Sequence, residues 1–352
     1  MLRFLDAGES HGPALTVVVD GLPAGIPIDR AAIDADLRRR QGGYGRGGRM
    51  RIESDAVEIL SGVRHGVTLG SPVALVVRNR DHENWREVMS ADPQPPEARK
   101  KRALKYPRPG HADLAGALKY LTDDLRDMLE RASARETASR VAAGALARAL
   151  LATAGVEVRS HVLRIGEAAI AGDAVVAWDD LAAVEQSPVR CADAGAGPAM
   201  MRAIDAAKKA GNTLGGVFEV VAHGVPPGLG SFAQWDRRLD GRIAQALMSI
   251  QAVKAVAIGA GFDAGNTPGA SFHDEIYAIG PDSDLRRHLV ALSVQPVEQF
   301  ALERGLADLA QIRHAHRLLA ERPREVRDQA ATQPVGGKAE HQAADADRKS
   351  VV

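Results

Sequence analysis

SARETASRVAAGALARALLATAG, residues 133–155, is the strongest helical stretch of the chain. Ser133-x-x-Glu136 has the form of a capping box, which predicts a start at Ser133, and Gly155 supplies the stop. The N-terminus of such a helix also attracts anions through its unpaired N–H groups and its dipole. With Arg131 and Arg135 beside it, the stretch 130–136 is a candidate phosphate seat, although capping boxes are commonly only structural.

Strands are predicted on both sides of this helix. LRFLDA (2–7) and ALTVVVDGL (14–22) read as strands bounded by turn residues, and DRAAIDADLRRRQ (29–41) as a helix that stops before Gly42-Gly43. RIESDAVEILSGV (51–63) and SPVALVVRN (71–79) read as strands of a hairpin-rich sheet. Further on, GGVFEVVAHGV (215–225) alternates like a strand, DGRIAQALMSIQ (240–251) reads as a helix, and AVKAVAIG (252–259) as the strand after it. Strands come in adjacent pairs as well as beside helices, which predicts an α+β layered domain rather than a doubly wound parallel sheet.

The 352 residues carry 45 Lys+Arg against 45 Asp+Glu, a net charge of zero, which argues against a general nucleic-acid binder. A single cysteine, Cys191, excludes a disulfide framework and a cysteine-based zinc site. No run is long and apolar enough to span a bilayer, and the first residues lack the pattern of a signal peptide. The expectation is a cytoplasmic protein without membrane contact. Gly is frequent (35) and aromatic residues scarce (4%), which favours close backbone approach in the core.

Four groups of residues could carry chemistry. GESHG (8–12) places His11 on a glycine-bracketed turn, where an imidazole can exchange protons near neutral pH or bond only to backbone. RPGHAD (108–113) places Arg108 and His111 on a rigid turn, with Asp113 in position to cap the helix that follows. Residues 38–51 concentrate six arginines and five glycines. Guanidinium groups and close backbone N–H groups suit a small polyanion, an RGG-like RNA contact, or a solvated loop. Gln251-Ala252, at a helix end, could present an amide edge to a ligand, though from chemistry alone helix-end packing explains it better. His273-Asp274-Glu275 lacks a second ligand cluster, so no metal is expected.

These residues resemble the bacterial form of chorismate synthase. The resemblance rests on GESHG at 8–12, RRRQGGYGRGGRM at 38–50, SGVRHGVTLGSPVA at 61–74, RPGHAD at 108–113 and ERASARETASRVAAG at 130–144. KKAGNTLGGVFE at 208–219 and MSIQAVKAV at 248–256 followed by HDE at 273–275 complete it. It covers residues 1–280. It implies long helices between antiparallel sheets, and a homotetramer. It implies a 1,4-anti elimination of phosphate from 5-enolpyruvylshikimate 3-phosphate, a phosphorylated dicarboxylate, to give chorismate with reduced FMN. By the same resemblance His111 acts on the departing phosphate and His11 on the flavin. Arg40 and Arg46, with Arg108, fall at positions for substrate or NADPH. Arg131, Ala132 and Ser133, with Gln251 and Ala252, fall at flavin positions.

The resemblance stops after Gly280. The glycine-rich, Lys-Pro-Ile and Arg-x-Asp segments that the family carries further on do not occur. Residues 283–352 hold only Gly305, Gly336 and Gly337, and Phe300 is their sole aromatic residue. The expectation is an incomplete core over 1–282 and a divergent or frame-shifted tail over 283–352. One helix over 301–321 and disorder after about residue 325 are expected in that tail. A missing flavin segment would leave a weakly active or non-catalytic relative, the alternative to the enzyme; an RNA-binding protein using residues 38–51 is the alternative from another class.

Overall fold

The computed structural model describes residues 2–46, 53–97, 101–171, 176–226 and 228–273. The expectations for residues 283–352 lie outside the described residues. Ten strands are described: β1 (Arg3–Gly8), β2 (Ala14–Asp20), β3 (Ala24–Pro27), β4 (Val57–Ser61), β5 (Val63–Arg64), β6 (Val67–Leu69), β7 (Val73–Arg78), β8 (Glu157–Ile165), β9 (Ala168–Ala169) and β10 (Gly216–His223). The described helices are α1 (Arg30–Gln41), α2 (Asp113–Tyr120), α3 (Arg126–Ala132), α4 (Thr137–Thr153), α5 (Ala196–Lys209), α6 (Leu239–Met248) and the single turn α7 (Gly269–Phe272).

The strands form three antiparallel sheets, ordered β1-β2-β7-β4, β3-β6-β5 and β10-β8-β9. In the first sheet β2 alternates, with Leu15, Val17 and Val19 buried. Val73, Leu75 and Val77 of β7 and Val57 of β4 extend the same apolar layer. Against it lie Ile33 and Leu37 of α1 and Ala138, Ala142, Ala145 and Leu146 of α4. The alanines let the helix axis approach the sheet closely, and the branched strand residues fill the space. The other side of α4 reaches β8, so the helix lies between two sheets. The chain is therefore α+β and layered, as expected. A second small core joins Val189, Cys191, Ala196 and Met200 under β8 and β9.

Several local expectations change. The helix predicted from Ser133 begins at Thr137, after a 3-10 turn over Ala134–Glu136. Ser133 Oγ accepts from the Arg135 N–H, and Glu136 turns away to bond Arg140 and Gln251, so the reciprocal box does not form. Asp113 does not cap α2; it is the first helical residue, and its carboxylate is taken up by Arg108. The strand predicted over 51–63 is shorter, and residues 51–52 lie outside the described residues. The helix over 240–251 ends at Met248, and 252–259 is not a strand. AVKAVAIG leaves no residue buried, so its alternation finds no sheet among the described residues to pack on.

One buried cation fixes where the elements meet. Arg135 donates from Nη1 to Asp55 at 2.7 and 2.8 Å and from Nε to Asn79 at 2.8 Å. Its guanidinium is 5% exposed, and the Asp55 carboxylate is fully buried. Removing one partner of such a pair leaves an uncompensated buried charge, at a cost of about 3–5 kcal/mol. Asp55→Ala is expected to lower the unfolding free energy by about that amount in urea titration, with the slope of the transition unchanged.

Candidate active site

The turn bearing His11 leaves β1 through Gly8, whose φ is +116°. A Cβ there would lie 2.5 Å from the Ala14 carbonyl oxygen, so only glycine lets the chain turn back this tightly. The buried Asn79 amide donates to the carbonyls of Glu9 and Gly12 at 3.0 and 2.8 Å and fixes the loop. Glu130 of α3 collects both N–H groups of His11. Its carboxylate accepts from the backbone N–H at 2.7 Å and from Nδ1 at 2.8 Å. Nε2 lies 3.9 Å from Asp81, and the ring stacks on Trp85 with centroids 3.9 Å apart. Burial pushes the Glu130 carboxyl up, but the bonds from His11 and Arg126 outweigh this and hold it below the ordinary range.

His111 also lies beside a buried carboxylate. Its Nδ1 lies 2.6 Å from Asp113 Oδ1 and 2.9 Å from Arg108 Nη2. One nitrogen cannot donate to Asp113 and accept from Arg108 at once. Arginine can only donate, and the hydrogen bond formed is the one from Arg108 Nη2, so Nδ1 accepts and the ring proton sits on Nε2; Asp113 Oδ1 lies close to Nδ1 without a hydrogen bond to it. Arg108 donates to Asp113 from its backbone N–H, Nε and Nη2. Those bonds, with the charge of Arg108, keep the fully buried Asp113 carboxylate far below the ordinary range. The two histidine turns are linked. The Glu130 charge also acts on Arg108, and α2 packs on α3 so closely that a Cβ on Gly116 would meet Met128 Sδ at 2.3 Å.

The residues expected to hold a flavin converge on a carboxyl pair. Arg131 donates to Asp6 at 3.1 Å, and Gln251 donates to Glu136, which is itself hydrogen-bonded to Asp6. Burial pushes Asp6 up, while the bonds to Glu136 and Arg131 bring it below its ordinary value. Ser133 Oγ donates to Ser10 Oγ at 3.1 Å, which joins this group to the His11 turn. Gln251 Oε1 is buried and finds no donor among the described residues, and Ala252 sits at φ +69°. An unmatched buried carbonyl beside a half-exposed arginine fits a planar ring that offers an N–H and carbonyl oxygens.

Arg40 is turned to the start of α4 rather than to solvent. It donates to Thr137 Oγ1 and the Ala134 carbonyl at 2.9 and 3.0 Å and lies 3.4 Å from Asp55. Arg46 is exposed and donates to the Gly42 carbonyl at 3.1 Å. Residues 47–52, including Arg49 and Arg51, lie outside the described residues, as do Asp274 and Glu275.

The family model for chorismate synthase matches residues 2–291, so the similarity runs past Gly280. The chain belongs to the chorismate synthase family. Chorismate synthase of Moorella thermoacetica is 59% identical over 276 residues, which cover 78% of this chain and 71% of that protein. The enzyme of Symbiobacterium thermophilum is 59% identical over 281 residues, and that of Listeria monocytogenes 52% over 288. A crystal structure of chorismate synthase, 44% identical, superposes with a TM-score of 0.65 and covers 78% of this chain and 73% of its own. As a chorismate synthase the chain is a lyase of the shikimate pathway.

Sequence reasoning missed the carboxylates and the ring that hold this chorismate synthase site. Glu130 stands inside a quoted motif, yet only its pairing with a residue 119 positions away gives it meaning. Trp85 and Asp81 lie in a 3-10 turn that no sequence pattern singled out.

Asp113 and Glu130 both titrate below their unfolded values of about 4. Their contribution is present above that value and lost as pH falls through the folded pKa. The melting temperature is expected to fall on acidification from pH 5 to 3, and Asp113→Asn to flatten that fall, as read by circular dichroism melts.

Proposed function

We propose that this chain eliminates phosphate from 5-enolpyruvylshikimate 3-phosphate in a 1,4-anti sense to give chorismate, with reduced FMN as cofactor. The observation that carries this reading is the Arg108–His111–Asp113 group. An arginine bonds both an imidazole and one buried carboxylate. Arg108 attracts the phosphate, and Nε2 of His111 offers it a proton as the C–O bond breaks. Arg108, itself held by the buried Asp113, bonds Nδ1 and so leaves the ring proton on Nε2.

Reduced FMN, when bound, lends electron density to the allylic system and takes it back. Arg131, Ala132 and Ser133 with Gln251 and Ala252 would hold it, a reading supported by the bonds of Arg131 to Asp6 and of Gln251 to Glu136. His11, joined to this group through the Ser10–Ser133 bond, would offer an imidazole nitrogen to the bound cofactor. Arg46 offers a half-committed guanidinium to the substrate carboxylates or to NADPH as reductant of the flavin; Arg40, already bound to three acceptors, steadies the start of α4 beneath them.

We further assign a homotetramer in the cytoplasm, with residues 1–282 as the functional unit. The exposed Leu5 and Val18, paired on the outer face of the first sheet, support association. No helix among the described residues is long and apolar enough to cross a membrane.

Anaerobic phosphate release from 5-enolpyruvylshikimate 3-phosphate with chemically reduced FMN tests the reading. Turnover is expected, and His111→Ala is expected to lower kcat by roughly 10²–10⁴-fold. No turnover beside an active relative, or full turnover in His111→Ala, rejects it.

A further inference from the structure

His11 sits inside a closed ring of contacts that extends well beyond its own turn. Glu130 binds its backbone N–H and Nδ1. Arg126, one helical turn before Glu130, donates to Glu130 Oε1 at 3.3 Å and places its guanidinium 5.1 Å from the Trp85 ring centroid. Trp85 then stacks on His11 and closes the ring. The Arg102 guanidinium lies 4.0 Å from the same centroid. Arg102 and His11 thus both pack on the Trp85 indole. Asp81 anchors the indole N–H at 3.2 Å, and His82 Nδ1 lies 3.0 Å from the His11 carbonyl.

The backbone is drawn into the same assembly. Arg102 holds φ +62°, a conformation L-residues avoid unless their surroundings impose it. Its carbonyl accepts two N–H groups of Arg126, at 3.0 and 2.8 Å. A strained residue clamped by an arginine that also serves Glu130 makes the plane of the His11 ring over-determined. The protonatable groups that face His11 are Asp81 and His82 from the 3-10 turn and Glu130 from α3; Arg126 and Arg102 add fixed positive charge.

We propose that Glu130, supported by Arg126 and Trp85, is the positioning residue of His11. It holds a proton on Nδ1, so that proton exchange falls to Nε2, the nitrogen on the side of Asp81. This rests on the reading of His11 as a residue of the active site. A carboxylate that collects both the backbone and the ring N–H of one histidine fixes position and tautomer together. Replacing it with an amide removes the charge that favours Nδ1 as the donor, and lets a side-chain N–H compete for that nitrogen. Trp85 restricts the ring to one plane.

The test uses the full chain with ¹⁵N-histidine labelling and the phosphate-release assay with chemically reduced FMN. In the unsubstituted protein His11 is expected to show the ¹⁵N pattern of a ring with Nδ1 protonated and hydrogen-bonded. Glu130→Gln is expected to change that pattern and to lower kcat by roughly 10-fold or more, with KM for the phosphorylated substrate changed less than 3-fold. Glu130→Asp is expected to restore part of both, and Trp85→Phe to keep the tautomer. An unchanged ring pattern in Glu130→Gln overturns the proposal even if activity falls, because a merely structural residue would also lower activity. If His11→Ala retains full turnover while Glu130→Gln still alters the ring, the positioning stands and the active-site reading of His11 fails. Should Glu130→Gln not fold, Arg126→Met gives a second route: it weakens the clamp on Glu130 and is expected to broaden or shift the His11 resonances, and a spectrum identical to the parent rejects the ring of contacts.

Discussion

A guanidinium taken out of water has to be surrounded by acceptors, and the surroundings of Arg135 come from every part of the first half of the chain. Asp55 arrives on the segment before β4, Asn79 at the end of β7, and Arg135 itself in the turn before α4. Asn79 then spends its amide on the His11 loop, and Asp55 lies beside Arg40 at the end of α1. The buried charge therefore does more than hold sheet to helix. It forces the loop of His11, the arginine segment and the start of α4 to one place, whatever the exposed ends of those segments do.

From that junction the two histidines are arranged by related means. Each ring lies against a carboxylate buried on a helix: His11 Nδ1 bonds Glu130, and His111 Nδ1 bonds Arg108, which is held by Asp113. Each carboxylate also serves an arginine, Arg126 or Arg108, which keeps it ionised despite burial. Oriented imidazoles with fixed tautomers and nearby cations suit chemistry in which a dianionic leaving group departs and protons must be placed at defined atoms. The close packing of α2 on α3 at Gly116 keeps the two carboxylates in a constant relation.

How much of this the amino-acid order reveals depends on the range of the interaction. The alternation Leu15, Val17, Val19 and the stop at Gly42 are local, so β2 and α1 stand within a residue or two of their expected places. Asp29, expected to begin α1, caps it through the Ala31 N–H. AVKAVAIG has the local pattern of a strand but no described neighbour to bond with, and pattern alone cannot supply one. Asp113 and Ser133-x-x-Glu136 have the pattern of caps because capping is local chemistry; stronger partners, Arg108 five positions before Asp113 and Gln251 115 positions after Glu136, redirect the carboxylates. The family motifs locate the histidines. What holds the His11 loop is pairings across 67 to 119 positions, which leave no trace in spacing.

The flavin-side residues stand on different ground from the histidines. The His11 turn joins β1 to β2, whose Leu15, Val17 and Val19 are each at most 2% exposed, and His111 is set beside the fully buried Asp113. Gln251 belongs to residues 228–273, where no described residue is buried and Phe232 is fully exposed. That stretch reaches the rigid half through side chains at the helix end: Gln251 to Glu136, and Arg140 to Ser249 at 2.7 Å. Stability in a protein is local, and a segment held by a few polar bonds opens at far lower free energy than one buried in the core. Besides those two bonds, only Leu229, packed against Leu151, Val156 and Val225, ties the stretch to a buried cluster among the described residues, so its anchorage is of a different kind from that of the His11 turn.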